Sequence, residues 1–307
     1  MPIVRQDGSH GLPAAAPSEP GAALRPALGP GELPRFLSII VPAKNEASGL
    51  PRLVAEIAAA FRPLLARDRA SGHRLDGFET IIVDDGSTDQ TPQILAHLMA
   101  DHPELRPLRL ARNAGQSAAT RAGFHAARGQ WVAILDADLQ NDPADLARLW
   151  DLLPGYDAGL GWRVKRRDTW SKRVISKIAN RVRDWVLGDS VKDTGCAVRI
   201  FPRQVALRLP MFHGAHRFYG PLLLREGCRI VQMPCNHRPR PHGRSHYNLW
   251  NRSFNVVVDL LGVAWLMRRR VVYELRPLLD EPASPTPTMP PVGAALATRS
   301  TLSRTPS

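Results

Sequence analysis

Cysteine is scarce in this sequence: the 307 residues include only Cys196, Cys228 and Cys235. Their spacing fits neither a zinc ligand set nor a disulfide framework. Because disulfides persist mainly in oxidising compartments, so few cysteines predict a protein of a reducing compartment.

Long apolar runs are also missing. A membrane-spanning helix needs about 18 or more consecutive apolar residues. The best candidate, residues 256–267, is shorter, contains Asp259 and is followed by Arg268, Arg269 and Arg270. The first residues lack the continuous apolar stretch of a secretory signal. We therefore expect neither a spanning helix nor a signal peptide.

The two ends of the chain show no apolar periodicity and are rich in proline. Residues 1–34 and 276–307 each hold seven of the 28 prolines. Such segments cannot bury enough apolar surface to offset the entropy lost on folding. We predict that both are disordered tails on either side of a folded region at 35–275.

Acidic residues are outnumbered, with 28 Asp and Glu against 41 Lys and Arg, for a formal charge of +13. Nucleic acid, an anionic membrane surface or a phosphorylated substrate would each suit this charge, and a merely solvated basic surface is the alternative. The sequence contains no groove-entering helix motif and no aromatic-lined basic sheet, which disfavours a nucleic-acid-binding protein.

Apolar strand patterns alternate along the chain with amphipathic helical patterns. This order is typical of an α/β protein with a mostly parallel sheet flanked by helices. We predict strands at 36–41, 80–83, 105–110, 131–135 and 158–161, and helices at 50–65, 91–100, 116–128 and 143–152.

Polar and acidic residues follow three of these strands directly. Ligands bind outside the carboxyl ends of the strands in open parallel sheets, so this placement predicts a binding site at that edge. The residues are Asn45 and Glu46, Asp84 and Asp85, and Asp136 and Asp138.

The usual phosphate-binding loops, GxGxxG and GxxxxGK[ST], do not occur in the sequence. A divalent cation can hold a diphosphate in their place. Asp136 and Asp138 are two residues apart, so in an extended chain their carboxylates point the same way, and Gln140 follows at the same step. Such oxygen ligands suit Mg²⁺ or Mn²⁺, with phosphate oxygens completing the shell.

Several motifs together resemble a known family. Four motifs resemble those of the family 2 glycosyltransferases with the GT-A fold: Val41-Pro-Ala-Lys-Asn-Glu46, Val83-Asp-Asp-Gly-Ser-Thr-Asp89, Asn113-Ala-Gly-Gln116 and Asp136-Ala-Asp-Leu-Gln140. Three later motifs resemble the polyprenyl-phosphate glycosyltransferase branch of this family, of the dolichol-phosphate mannosyltransferase type: Asp193-Thr-Gly-Cys-Ala-Val-Arg199, His216-Arg-Phe218 and Arg240-Pro-His-Gly-Arg-Ser-His-Tyr247. The resemblance covers residues 36 to 266.

The resemblance implies a site for a nucleoside-diphosphate sugar, either GDP-mannose or a UDP-sugar. The base and ribose would be held by Pro42, Ala43, Glu46, Asp84 and Asp85. The diphosphate sugar would be held by Asp136, Ala137, Asp138 and Arg163, with the metal on Asp136, Asp138 and Gln140. Asp138, Arg163 and Asp193 are the expected catalytic residues, with Asp193 orienting the acceptor or the donor; a structural turn role for Asp193 is the alternative.

The acceptor that the resemblance implies is a polyprenyl phosphate. An ionised phosphate needs positioning more than deprotonation, and the family suggests one displacement with inversion. The QxxRW segment of processive relatives does not occur, which fits a single transfer. We expect the acceptor phosphate to be held by Lys172, Arg173, Ser176, Arg240, Arg244, Ser245 and His246. His246 stands where the branch usually has Lys and predicts activity favoured by acid.

Two segments have the pattern of helices at a membrane surface. Residues 163–184 hold nine Lys or Arg and two Asp, and residues 247–267 are apolar apart from a narrow polar stripe that includes Asp259. Ordinary packed helices are the alternative.

We predict a GT-A domain at 35–235, an acceptor and membrane-interface segment at 236–275, and peripheral attachment to the cytoplasmic face of an anionic membrane. A membrane-anchoring partner or a homo-oligomer would serve attachment. The rival function is a soluble family 2 glycosyltransferase that acts on a sugar hydroxyl of a glycan.

Overall fold

The core of the protein is a sheet of seven strands with helices on both faces. The computed structural model describes residues 35–67, 75–164, 187–188, 191–239 and 249–269, and only the backbone of 249–256. The strands are β1 (Phe36–Ala43), β2 (Gly77–Asp84), β3 (Leu108–Arg109), β4 (Trp131–Ile134), β5 (Ala158–Arg163), β6 (Arg199–Pro202) and β7 (Ile230–Cys235). Their order across the sheet is β3-β2-β1-β4-β6-β5-β7.

The sheet is parallel except at one strand. β1 to β4 pair in parallel, and β5 pairs in parallel with β7. β6 runs antiparallel to both β4 and β5. The predicted α/β class is confirmed. The strand pattern predicted neither β6 nor β7, because β6 is only four residues long and starts with Arg199, and β7 contains Pro234.

β3 is shorter than the predicted strand at 105–110. Leu105 makes an isolated bridge to Thr80, but the paired strand is only Leu108–Arg109. Pro107 lies between the two and has no N–H to donate to a neighbouring strand, so regular pairing is interrupted there.

Four helices of the described residues lie at the ranges predicted to alternate with the strands, and three more follow them in the chain. The helices are α1 (Leu50–Leu65), α2 (Thr91–Leu98), α3 (Gln116–Ala126), α4 (Pro143–Asp151), α5 (Arg203–Arg208), α6 (Tyr219–Arg225) and α7 (Leu249–Arg268). α1 covers the predicted range because Leu53, Ile57, Phe61 and Leu64 repeat at helical spacing and are all buried.

Two apolar cores lie on opposite faces of the sheet. Side chains alternate between the faces of a strand, so Ile39 and Val41 of β1 pack with α1 and α4, whereas Ile40 packs with α3 and α6. The carboxyl ends of β1, β2 and β4 lie side by side because these strands are parallel neighbours. The loops that follow these three strands therefore meet at one edge.

Candidate active site

The loop after β2 is organised by Asp85, which is 4% exposed. Its carboxylate accepts hydrogen bonds from the backbone N–H groups of Ala114 at 2.7 Å and Gly115 at 2.8 Å, and from the Asn113 side chain at 3.1 Å. Asp85 therefore fixes the turn that leads into α3. Its predicted contact with the nucleoside stays a prediction.

Asp84 is also buried, with 1% of its surface exposed. One carboxylate oxygen accepts from Ser87 N at 2.8 Å, and the other lies 3.3 Å from Arg109 Nε. A carboxylate at this depth is stabilised by such partners, because burial without them is costly. Asp84 thus holds the start of its own loop.

The loop after β1 is bonded to the loop after β2. Asn45, at φ 55°, donates its N–H to Ser87 Oγ at 2.9 Å and accepts from Thr88 N at 2.9 Å. Glu46 donates its N–H to Thr91 Oγ1 at 3.1 Å. The predicted nucleoside residues Pro42 and Ala43 end β1 directly before this loop. The structure brings the two predicted nucleoside loops together.

Asp136 and Asp138 follow β4, and both are partly buried. The extended geometry expected for this pair is wrong, since the chain turns at Ala137 and Asp138, and Leu139 takes the left-handed φ of 60°. Gln140 donates its N–H to Asp138 Oδ1 at 3.2 Å. Because of this turn, Gln140 lies in the loop after β4 and does not continue the strand.

Asp136 is tied to α3 by a residue whose role the sequence did not reveal. The side-chain amide of Gln116, the first residue of α3, donates to Asp136 Oδ1 at 2.9 Å. Asp85 bonds the turn before α3, and Gln116 at the start of α3 bonds Asp136. Hydrogen bonds therefore connect Asp85 to Asp136 through the start of α3. Gln116 stands within the Asn113-Ala-Gly-Gln116 motif, but only the folded chain shows what it contacts.

The predicted metal ligands match a hard divalent cation by the type of oxygen atom that they carry. Asp136, Asp138 and Gln140 supply carboxylate and amide oxygens, the ligands that Mg²⁺ and Mn²⁺ take. Among the described residues, no group of three or more His, Cys, Asp or Glu side chains has an arrangement suited to a metal ion.

Arg163 and Asp193, predicted from separate motifs, form one bidentate pair. Arg163 Nε donates to Asp193 Oδ2 at 2.7 Å and Nη2 donates to Oδ1 at 3.0 Å. Burial alone would lower the pKa of Arg163, but the hydrogen bonds and charge of Asp193 raise it overall. Asp136 also interacts electrostatically with Arg163. Two of the three predicted catalytic residues therefore pair with each other, and the charge of Asp136, a predicted metal ligand, acts on the same arginine.

Gly195 lies directly against this pair. A Cβ at Gly195 would lie 2.5 Å from Arg163 Nη2, and Asp193 Oδ1 also accepts from Gly195 N at 2.9 Å. The turn from Asp193 to Gly195 therefore wraps the guanidinium closely.

Arg199, which was not predicted as a site residue, is 5% exposed beneath this pair. It donates to the carbonyl oxygens of Thr194 and His216, both at 2.7 Å, and lies 5.1 Å from the ring centroid of Tyr219. Burial lowers the pKa of Arg199, and the charges of Asp136 and Asp193 oppose that change. A charged residue within the apolar run 197–201 was the available sequence signal.

α7 exposes its apolar side. Val257, Val258, Leu261 and Trp265 are 54%, 52%, 60% and 59% exposed, whereas Val263 is fully buried against the domain. Asp259, from the predicted polar stripe, faces the turn at Gly214, where its Oδ2 would lie 2.7 Å from an added Cβ. Within the described ranges, no helix combines the length and apolarity that crossing a bilayer requires.

The predicted acceptor residues lie outside the described residues. The predicted helix at 163–184 also lies there, apart from its first two residues. The residues concerned are Lys172, Arg173, Ser176, Arg240, Arg244, Ser245 and His246, and their roles stay predictions.

The sheet and its acidic carboxyl edge define a glycosyltransferase of the GT-A architecture. The chain belongs to the family described as Glycosyl transferase family 2, whose sequence model matches residues 38–209. The expected family is thereby confirmed.

Two relatives show how the similarity extends beyond that range. The chain is 34% identical over 247 residues to a dodecaprenyl-phosphate galacturonate synthase of Rhizobium johnstonii, covering 78% of this chain and 69% of the relative. It is 31% identical over 229 residues to an undecaprenyl-phosphate 4-deoxy-4-formamido-L-arabinose transferase of Aeromonas hydrophila, covering 74% and 67%.

A solved structure shares the fold. Glucosyl-3-phosphoglycerate synthase from Mycobacterium tuberculosis, in complex with Mn²⁺ and UDP-glucose, superposes with a TM-score of 0.54 at 20% identity, covering 75% of this chain and 79% of that one. The similarity confirms the GT-A fold.

Proposed function

We propose that the protein transfers a sugar from a nucleoside-diphosphate sugar to a polyprenyl phosphate. The observation that carries the proposal is the bidentate pair of Arg163 and Asp193, because it fixes an arginine on which the charge of Asp136, a predicted metal ligand, also acts. The two relatives named for dodecaprenyl and undecaprenyl phosphate support the acceptor class.

Asp136, Asp138 and Gln140 would hold Mg²⁺ or Mn²⁺ on the diphosphate of the donor. The ion would supply charge stabilisation for the departing nucleoside diphosphate. Gln116 keeps Asp136 in place through the 2.9 Å hydrogen bond to Oδ1. The Mn²⁺ in the complex of the mycobacterial synthase supports this cofactor class.

Arg163 would bind the donor phosphates. Its guanidinium has five N–H donors, of which the bidentate bond to Asp193 uses two. The remaining donors can bind phosphate oxygens by charge-assisted hydrogen bonds. Asp193 thus acts by orienting Arg163, and an acceptor that is already an anion requires no proton to be removed.

The apolar side of α7 would contact an anionic membrane surface. Exposed Leu261 and Trp265 are followed by exposed Arg268 and Arg269, and the Arg269 guanidinium lies 5.9 Å from the Trp265 ring centroid. Apolar side chains beside cationic ones are typical of helices that lie at a lipid interface. The free cysteines, all buried, fit the reducing cytoplasmic side.

The function is tested with radiolabelled UDP- and GDP-sugars, polyprenyl phosphate in detergent and Mn²⁺. We expect one donor to yield labelled lipid that partitions into organic solvent, and both EDTA and Asp138→Ala to abolish transfer. Circular dichroism establishes that Asp138→Ala remains folded. In a parallel reaction with a glycan acceptor added, label that moves into the water-soluble glycan and not into lipid would instead support transfer to a sugar hydroxyl.

A further inference from the structure

The chain segment directly after β7 packs against the loop that carries Asp138. Asn236 donates its N–H to Asp145 Oδ2 at 2.6 Å, and His237 forms an antiparallel bridge with Asn141. Arg238 donates its N–H to the carbonyl oxygen of Gln140 at 2.8 Å. His237 and Arg238 therefore hold one side of this loop, and Asn236 is bonded to the first turn of α4 that follows it.

The side chain of Arg238 extends this contact to two helices. Its Nη1 donates to Glu56 Oε2 of α1 at 2.6 Å, and Nη2 lies 2.7 Å from Asp142 Oδ2. Asp142 is the N-cap of α4, where its Oδ1 accepts from Ala144 N at 3.0 Å. Burial alone would lower the pKa of Arg238, but the hydrogen bonds of Glu56 and Asp142 raise it overall. One guanidinium thus joins α1 and the start of α4.

The loop between β4 and α4 needs such support. Leu139 holds a left-handed φ of 60°, a backbone conformation that is strained for a residue that is not glycine. The strained residue lies between Asp138 and Gln140, two of the predicted metal ligands. The bond from Arg238 N to Gln140 O and the ion pair to Asp142 border it on its C-terminal side. Releasing either contact gives the loop freedom to leave this conformation.

We propose that Arg238 is a positioning residue that holds the Asp138–Gln140 loop in the conformation that binds the divalent cation. The inference rests on the proposed metal role of that loop. Outer contacts of this kind orient the groups that ligate a metal, and losing one weakens metal affinity by about 10- to 100-fold. Arginine is required because its planar fork reaches two carboxylates at once, whereas lysine offers a single point charge.

The test compares Arg238→Gln with wild type in Mn²⁺ binding. Electron paramagnetic resonance of free Mn²⁺ is titrated against the full-length protein in the presence of UDP or GDP. We expect the Mn²⁺ dissociation constant to rise about tenfold in Arg238→Gln, with Arg238→Lys between the two. In the metal-free proteins, hydrogen exchange of the peptide spanning 138–142 is expected to be faster in Arg238→Gln than in wild type.

Arg229→Gln is the matched control. Arg229 directly precedes β7, whereas Arg238 follows it, and Arg229 Nε donates to Asp157 Oδ2 at 3.0 Å. It is therefore also an arginine in a carboxylate pair, but it lies at the opposite end of β7 from the residues that contact the loop. We expect its Mn²⁺ affinity and its exchange at 138–142 to match wild type.

The outcomes separate the inference from the function on which it rests. Wild type that binds no Mn²⁺ with either nucleotide would overturn the proposed metal site. If wild type binds Mn²⁺ and Arg238→Gln binds it with equal affinity, whatever the melting temperature of the variant, only the proposed role of Arg238 is overturned. If Arg238→Gln does not fold, Arg238→Lys decides: an Mn²⁺ affinity equal to wild type contradicts the proposal.

Discussion

The charged side chains of the site are held by protein atoms independently of a ligand. Arg163 is fixed by the Asp193 carboxylate and Arg199 by two carbonyl oxygens. A donor already fixed in place loses little freedom when a phosphate binds, which favours both affinity and orientation. The close fit of Gly195 against the Arg163 guanidinium makes this arrangement sensitive to a single methyl group.

Gly195→Ala is expected to displace the Arg163 guanidinium, because the added Cβ would lie 2.5 Å from Nη2. A shift of about 1 Å in a positioning group can reduce turnover about 100-fold. Steady-state kinetics with the nucleotide sugar measure this loss, and circular dichroism establishes that the fold is retained.

Gly262→Ala is the control for this substitution. No heavy atom of the described residues lies within 4 Å of a Cβ added at Gly262 in α7, so we expect turnover close to wild type. Similar turnover in the two variants would contradict the role of the Asp193–Gly195 turn.

At the scale of elements, α1 was predictable and the orientation of α7 was not. The apolar spacing of α1 determines both its range and its buried side, since that side faces its own sheet. The exposed side of α7 depends on the turn at Gly214, which receives Asp259. That turn lies 45 residues earlier in the chain, so local periodicity alone does not reveal which side is covered.

Leu261→Glu is expected to weaken binding to vesicles of phosphatidylglycerol and phosphatidylcholine. Leu261 is 60% exposed on α7, and burying a leucine side chain contributes about 1.5–3 kcal/mol. Co-sedimentation should therefore show a loss of about tenfold or more in the partition coefficient.

Met99→Glu supplies the comparison for Leu261→Glu. Met99 is 47% exposed directly after α2, which packs on the other face of the sheet. We expect Met99→Glu to bind vesicles as wild type does. An equal loss in both variants would exclude α7 as the specific contact.

At the scale of the whole molecule, the fold class and the acidic edge followed from the sequence, but the supporting contacts did not. Strand ends can be located from local patterns, and these gave Asp84, Asp85, Asp136 and Asp138. The bond between Arg238 and Glu56 joins residues 182 positions apart. No local pattern encodes such a pair, because only the assembled sheet brings the two segments together.

The formal charge of +13 predicts that attraction to lipid depends on salt. Raising the ionic strength from about 0.1 M to about 1 M shortens the Debye length from about 10 Å to about 3 Å. We expect vesicle binding to weaken with phosphatidylglycerol present and to change little with phosphatidylcholine alone. Binding to anionic vesicles that is independent of salt would contradict an electrostatic contribution.

The position of β6 in the sheet has a consequence for the nascent chain. Among the described strands, the neighbours of β5 are β6 and β7, which are both translated after it. As the polypeptide leaves the ribosome, β1 to β4 can assemble first, while β5 must wait until Arg199 and the residues after it have emerged. Synthesis halted before that point leaves one edge of β4 and both edges of β5 open to association with other chains.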